Sequence, residues 1–167
     1  MDVFEHLKSQ LSSQDKRIVF PEGEDERIFG AAARLAHDGL LTPILLGNEA
    51  KIKAAAKQDG IDLTGVEIMD PQTYPAADYQ AMHAALLERR HGKNTPEQVA
   101  AMLKDVSYFA TMLVYMGKVD GMVSGAIHST GDTVRPALQI VKTKPGIKRI
   151  SGAFLMQKGD QRYIFAD

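Results

Sequence analysis

The chain has no cysteine. Disulfides, thiolate catalysis and cysteine-held zinc or iron–sulfur centres are excluded, and the composition fits a reducing compartment. Tryptophan is also missing, and arginine is not interleaved with aromatic residues in a nucleic-acid-binding pattern. Neither sign of charge dominates, with 20 Lys and Arg against 21 Asp and Glu. No strong field would gather nucleic acid or an anionic membrane. The longest apolar run is far too short to span a bilayer. The first residues, Met1 to Lys8, have neither a basic start nor an apolar stretch, so no secretion signal is expected. No cluster of ligating residues suggests a protein-bound metal. These absences fit a cytoplasmic protein with no nucleic-acid or membrane partner.

What is present is a regular alternation. At 167 residues the chain suits one domain, or one and a piece of another. Val3, Phe4, Leu7 and Leu11 recur at helical spacing and predict an amphipathic helix over 2–12. Arg17 to Phe20 is a short β-branched and aromatic run stopped by Pro21, and it reads as a buried strand. Pro21 to Arg27 is an acidic turn into a helix through Ile28 and Ala36, with Gly39 as its stop. Glu22 and Asp25 order this turn or pair with Arg27, with no chemical role assigned. Thr42 to Gly47 is a second strand, Asn48 caps a helix from Glu49 to Gln58, and Val66 to Met69 is a third strand. The order β-α-β-α-β predicts an α/β fold, a parallel sheet with helices on both faces.

Further on, residues 71–77 read as a loop and Tyr79 to His91 as a helix ending in the basic run Glu88-Arg89-Arg90-His91-Gly92-Lys93. That run either complements the helix dipole or holds a polyanion. Thr95 and Pro96 open another helix as N-cap and first residue. Ser107 to Met116 is apolar nearly all round, so it is buried in the domain or at a subunit contact. The last segments read as two strands, Arg149 to Met156 and Arg162 to Asp167, joined by a turn at 157–161. Such a hairpin is marginal alone. It has lost its context, or it adds to a sheet edge.

The chain is organised around residues 119–138. Val119 to Val123 reads as a strand and Ala137 to Val141 as the buried side of a helix. Between them lies a loop of glycines and hydroxyls that opens the helix, where unpaired N–H groups favour an anion. Two helix registers are open. In one, Ser129 is the N-cap and Asp132 is at N3. In the other, Asp132 is the N-cap, which Pro136 mildly favours because proline inside a helix costs about 3 kcal/mol. In both, Ser129, Thr130 and the Gly131 amide lie at the helix mouth. Arg135, one turn in, either grips the same anion or pairs with Asp132. His128 is a hydrogen-bonding scaffold or, less simply, a general base. Asp132 caps the helix and orients Arg135.

Four motifs in order now carry a resemblance. Phe20-Pro21-Glu22-Gly23-Glu24-Asp25-Glu26-Arg27 is similar to the opening of phosphate acetyltransferases, and Asp120 to Gln139 resembles that family's central signature. Lys142-Thr143-Lys144-Pro145-Gly146 and Tyr163 to Asp167 continue the resemblance in register. Gly131 stands where many members carry alanine. The resemblance implies reversible acetyl transfer between phosphate and coenzyme A, which are substrates, with no bound cofactor. It also implies the fold of the isocitrate and isopropylmalate dehydrogenases, two α/β domains around a cleft. The first domain would be 1–145, and residues 146–167 would be the opening hairpin of a second. Ser129, Thr130, Gly131 and Arg135 become a phosphate site supported by His128 and Asp132. Arg89 matches an arginine taken to contact a coenzyme A phosphate, with Arg90 as the alternative. Family chains are about twice as long, and their later half carries a Ser-Arg pair and an aspartate base. The resemblance therefore implies that this chain is an N-terminal portion, inactive alone, whose catalytic residues lie beyond Asp167 and whose full-length form is a homodimer. Its alternatives are butyryl transfer, or a non-catalytic regulatory domain of the same fold.

Overall fold

The computed structural model describes residues 3–11 and 13–166. The expected ends of the first helix, at 2 and 12, and Asp167 in the last strand lie outside the described residues. The elements run α1 (Val3–Leu11), β1 (Arg17–Phe20), α2 (Glu26–His37), β2 (Thr42–Leu46), α3 (Glu49–Gln58), β3 (Glu67–Met69) and α4 (Ala76–Arg90). They continue as α5 (Pro96–Met102), α6 (Val106–Tyr115), β4 (Gly121–Met122), α7 (Thr130–Ile140), β5 (Ala153–Lys158) and β6 (Gln161–Ala166).

Strands β1 to β4 form a parallel sheet in the order β3-β2-β1-β4. Alternation along each strand sends side chains to opposite faces. Val19, Ile44 and Leu46 face one side and pack with Met82 and Leu86 of α4, Val99 of α5, Phe109 and Met112 of α6 and Ile140 of α7. Phe20 and Leu45 face the other side and pack with Phe29 and Ala32 of α2 and Ile52 and Ala56 of α3. Helices therefore cover both faces, as the alternation predicts. Each fully buried large side chain contributes about 1.5–3 kcal/mol. Helix α6 packs into this core through Phe109, Ala110, Met112 and Leu113, all buried, while Tyr115 at its end is exposed.

The chain leaves β1 toward β2 and β3, then returns to place β4 on the other side of β1. Strand order reverses between β1 and β4. In open α/β sheets a crevice opens there, outside the carboxyl ends of the strands. Asp120 pins the entry of β4. Its carboxylate accepts from the Arg17 N–H at 2.9 Å and Lys16 Nζ at 3.1 Å. These contacts hold its carboxyl below the usual range, the Arg17 N–H contributing most. Strand β4 is shorter than the expected 119–123, yet its ladder is longer than its name. The Asp120 N–H donates to Arg17 O and the Val123 N–H to Val19 O.

Other boundaries differ for local reasons. Helix α4 begins at Ala76, inside the expected loop, because Pro75 sets φ at −53° and two alanines follow. It ends at Arg90, since His91 takes the left-handed φ of 48°. Asp105 starts α6 one residue early by accepting from the Ser107 and Tyr108 N–H groups. Strand β5 starts at Ala153 rather than Arg149, because it pairs only as far as β6 reaches and Ala153 already faces Ala166. The hairpin β5–β6 is a two-stranded sheet of its own and does not add to the edge of the main sheet. Its large side chains are open to solvent, Phe154 at 71% and Ile164 at 75%.

Candidate active site

The turn after β1 ties the crevice together. Gly23 sits where a Cβ would come within 2.5 Å of Leu46 O, so only glycine fits against β2. Its N–H donates to that same Leu46 O at 3.2 Å. Glu24 Oε1 accepts from the Asn48 N–H at 3.0 Å, fixing the start of α3. Asp25 caps α2 by accepting from the Arg27 N–H, and its two oxygens also take the Arg27 guanidinium at 2.9 and 2.8 Å. The guanidinium hydrogen bonds, foremost, lower the Asp25 pKa. Arg27 Nη2 reaches on to Ala126 O at 3.1 Å, across the crevice.

Glu22 makes the central connection. It is buried at 3% exposure. Oε2 accepts from the N–H groups of Gly125 and Ala126 at 3.0 and 2.8 Å. Oε1 accepts from those of Ile127 and His128, both at 2.8 Å. Oε1 also lies 2.9 Å from His128 Nδ1. Burial pushes the Glu22 carboxyl up, but the four N–H donors together outweigh it and bring the pKa down to about 2. The loop between β4 and α7 is therefore wrapped around a carboxylate of its own chain. Local sequence assigns Glu22 to the turn and does not show this role. The available signal is its position, an acidic residue two places after a buried central strand.

Helix α7 begins beyond that loop. Ser129 is its N-cap, which decides between the two registers against the one that Pro136 favours. The Ser129 hydroxyl accepts from the Asp132 N–H at 3.2 Å and donates to Asp132 Oδ2 at 2.7 Å. Pro136 consequently lies inside the helix, where it is buried. The double Ser129–Asp132 bond and the packing of Pro136 offset the helix bond that proline removes. Thr130 and Gly131 occupy the first two helical positions, and their N–H groups have no protein acceptor among the described residues. Arg135 Nη2 stands 3.8 Å from Asp132 Oδ1, with both side chains half or more exposed. Ser124 Oγ and Thr133 Oγ1, on either side of the loop, are buried with no partner among the described residues.

The basic run lies at the far end of the same helix. Arg89 Nε donates to Ile140 O at 2.6 Å and Nη2 to Val141 O at 3.0 Å, capping the carboxyl end of α7. Its guanidinium also stands over the Tyr115 ring at 5.2 Å. Arg90 Nε donates to Asn94 Oδ1 at 2.8 Å. Lys142 joins them, and burial first, then repulsion from Arg89, Lys93 and Arg90, lowers its pKa. An 11-residue helix is about 16 Å long, so the structure does not bring Arg89 and Arg90 together with Ser129, Thr130, Gly131 and Arg135. It brings His128 to Glu22, and Asp132 to Ser129 and Arg135.

A cavity of about 390 Å³ opens at the carboxyl ends of β1 and β2. Glu22, Asp25 and His128 line it, with Leu46, Val106 and Ile127 as apolar walls. Among the described residues no group of three or more His, Asp or Glu is placed to hold a metal ion. Nor is any helix among them long and apolar enough to cross a membrane.

Comparison with known proteins agrees with this architecture. The model of the phosphate acetyl/butaryl transferase family matches residues 2–167. A phosphate acetyltransferase of Staphylococcus epidermidis is 54% identical over 166 residues, which are 99% of this chain and 50% of that protein. One of Bacillus subtilis is 51% identical over 99% of this chain and 51% of its own length. A phosphotransacetylase structure from Streptococcus pyogenes superposes with a TM-score of 0.89 at 48% identity, covering 98% of this chain and 51% of the other. One from Staphylococcus aureus gives 0.86 at 51% identity, covering 96% and 48%. The chain spans about half the length of the curated relatives it matches. With its parallel sheet, its crevice at the β1/β4 reversal and this match from end to end, the chain belongs to the phosphate acetyl/butaryl transferase family.

Proposed function

We propose that the chain forms the phosphate-holding wall of a cytoplasmic phosphate acetyltransferase. In the forward reaction the coenzyme A sulfur forms a bond to the acetyl carbon of acetyl phosphate. The bond from that carbon to the phosphate oxygen breaks, and phosphate leaves with the electron pair. The thiol proton goes to a base that we place outside this chain, as the resemblance implies. The phosphate meets the Thr130 and Gly131 N–H groups at the positive end of α7. The Thr130 hydroxyl adds a donor. Arg135 supplies the cation and a planar fork that matches two phosphate oxygens.

The observation that carries this reading is the open start of α7 beside Arg135. The Asp132–Arg135 pair is long and exposed, and such pairs contribute about 0–1 kcal/mol. A doubly charged phosphate therefore competes well for the guanidinium. Ser129 serves chiefly as the cap, since its single proton is given to Asp132. Arg89 and Arg90 hold the phosphates of coenzyme A from the far end of α7, the nucleotide end of that ligand lying away from the reacting thiol.

The test is phosphate-dependent turnover of acetyl-CoA by the full-length protein. Arg135→Ala should lower it about 10–100-fold, the cost of a charge-assisted hydrogen bond, with folding intact. Near-normal turnover removes Arg135 from the anion site. The 167-residue chain alone should show none, and substantial turnover by it would overturn the placement of the base. Butyryl phosphate run in parallel measures the acyl preference. The names of the curated relatives favour acetyl. A full-length protein with no turnover of either would be the regulatory alternative.

A further inference from the structure

Glu22 and His128 form a pair that the phosphate reading leaves unused. An ionised carboxylate can only accept, and Glu22 Oε1 lies 2.9 Å from His128 Nδ1. The shared hydrogen therefore sits on Nδ1. In the neutral ring Nε2 is then the bare nitrogen, a hydrogen-bond acceptor. Nε2 has no protein partner among the described residues. The His128 side chain is 24% exposed, and it lines the cavity of about 390 Å³.

We propose that Glu22 is a positioning residue that holds His128 in its Nδ1–H form, so that Nε2 accepts a hydrogen bond from a donor on the substrate in this cavity. The inference rests on the acyl-transfer reading, in which coenzyme A supplies that donor from a hydroxyl or amide N–H group, its thiol proton going to the base outside this chain. One carboxylate fixes both the ring and the backbone that carries it, through the N–H groups of residues 125–128. Ring and loop cannot turn separately. Arg27 holds the loop from its other side at Ala126 O. The remaining carboxylates of the cavity are engaged elsewhere. Glu24 meets the Asn48 N–H and Lys51, and Asp25 meets Arg27. Glu22 is thus the carboxylate that sets the His128 tautomer, as the partners of metal-bound and triad histidines do.

The experiment is NMR of the 167-residue protein with isotopically labelled histidine nitrogens, at about pH 8, above the ordinary imidazole range. The wild type should show a protonated Nδ1 and a bare Nε2 at His128. Glu22→Gln should lose that separation, the two signals moving toward a common average. A bare Nδ1 in the wild type, or an unchanged separation in the variant, overturns the proposal. If the variant does not fold, the wild-type assignment decides by itself. A second arm adds coenzyme A to the full-length protein. A shift of the His128 Nε2 signal supports the substrate contact. Shifts elsewhere without one at Nε2 overturn that contact and leave the acyl-transfer reading standing. No shift anywhere overturns the acyl-transfer reading and, with it, coenzyme A as the source of the donor.

Discussion

Two adjacent stretches of backbone between β4 and α7 meet different partners. The N–H groups of Gly125 to His128 converge on the buried Glu22 carboxylate. Those of Thr130 and Gly131, a turn further on, meet no protein acceptor among the described residues. Both runs present N–H groups that no helix or strand bond uses, and either could receive an anion. The first is filled by the chain itself and becomes a rigid floor. The second stays open and becomes the candidate site. Anion-binding geometry is thus not enough to name a ligand site, because an internal carboxylate can already occupy it.

The comparison breaks most sharply at Glu22. Glu22→Ala removes the acceptor of four N–H groups and of His128, and should cost about 3 kcal/mol in urea unfolding. A loss under about 1 kcal/mol would mean that water substitutes for the carboxylate. The same contrast is read by acid. The folded Glu22 pKa is depressed to about 2 from an ordinary 4.5. Its contribution is therefore full above pH 4.5 and is lost as pH falls from there toward 2. A shift of that size is worth roughly 3 kcal/mol. Glu22→Gln should flatten this part of the stability profile, and an unchanged acid limb would assign it to other carboxylates.

The open run is less costly to disturb. Ser129→Ala removes the cap of α7 and should cost about 1 kcal/mol, with the loop over Glu22 unaffected. A larger loss would show that cap and floor are one unit. The smallest change should be a gain. A Cβ at Gly131 would meet Arg135 Nη2 and Ser129 Oγ at 3.7 Å each, ordinary contact. Gly131→Ala should raise stability by about 0.4–1 kcal/mol through the unfolded chain. A loss instead would mean that the helix mouth needs the bare backbone.

Much of the fold was legible because it rests on short-range pattern. Strands β1 and β2, the caps Asn48 and Thr95, and the helix stop at Gly39 were all read from neighbouring residues, and the structure places them there. The site was legible in part. Its hydroxyls and Arg135 were found as a loop opening a helix, and Asp132 was found as their neighbour. The helix register stays open in the sequence because a local rule about Pro136 stands against a bond between Ser129 and Asp132 that forms only in the folded turn. Glu22 was missed because its partners lie 103 to 106 residues away.

The sequence by itself determined the parallel sheet, its two apolar faces and the loop that opens α7, since periodicity and capping are carried by residues close in the chain. It also determined the family, through four motifs in fixed order. Only the tertiary structure decided which of the backbone N–H groups stay free. That choice depends on β1 and β4 lying side by side, so that the carboxylate after one strand is delivered to the loop after the other. No local rule contains that distance.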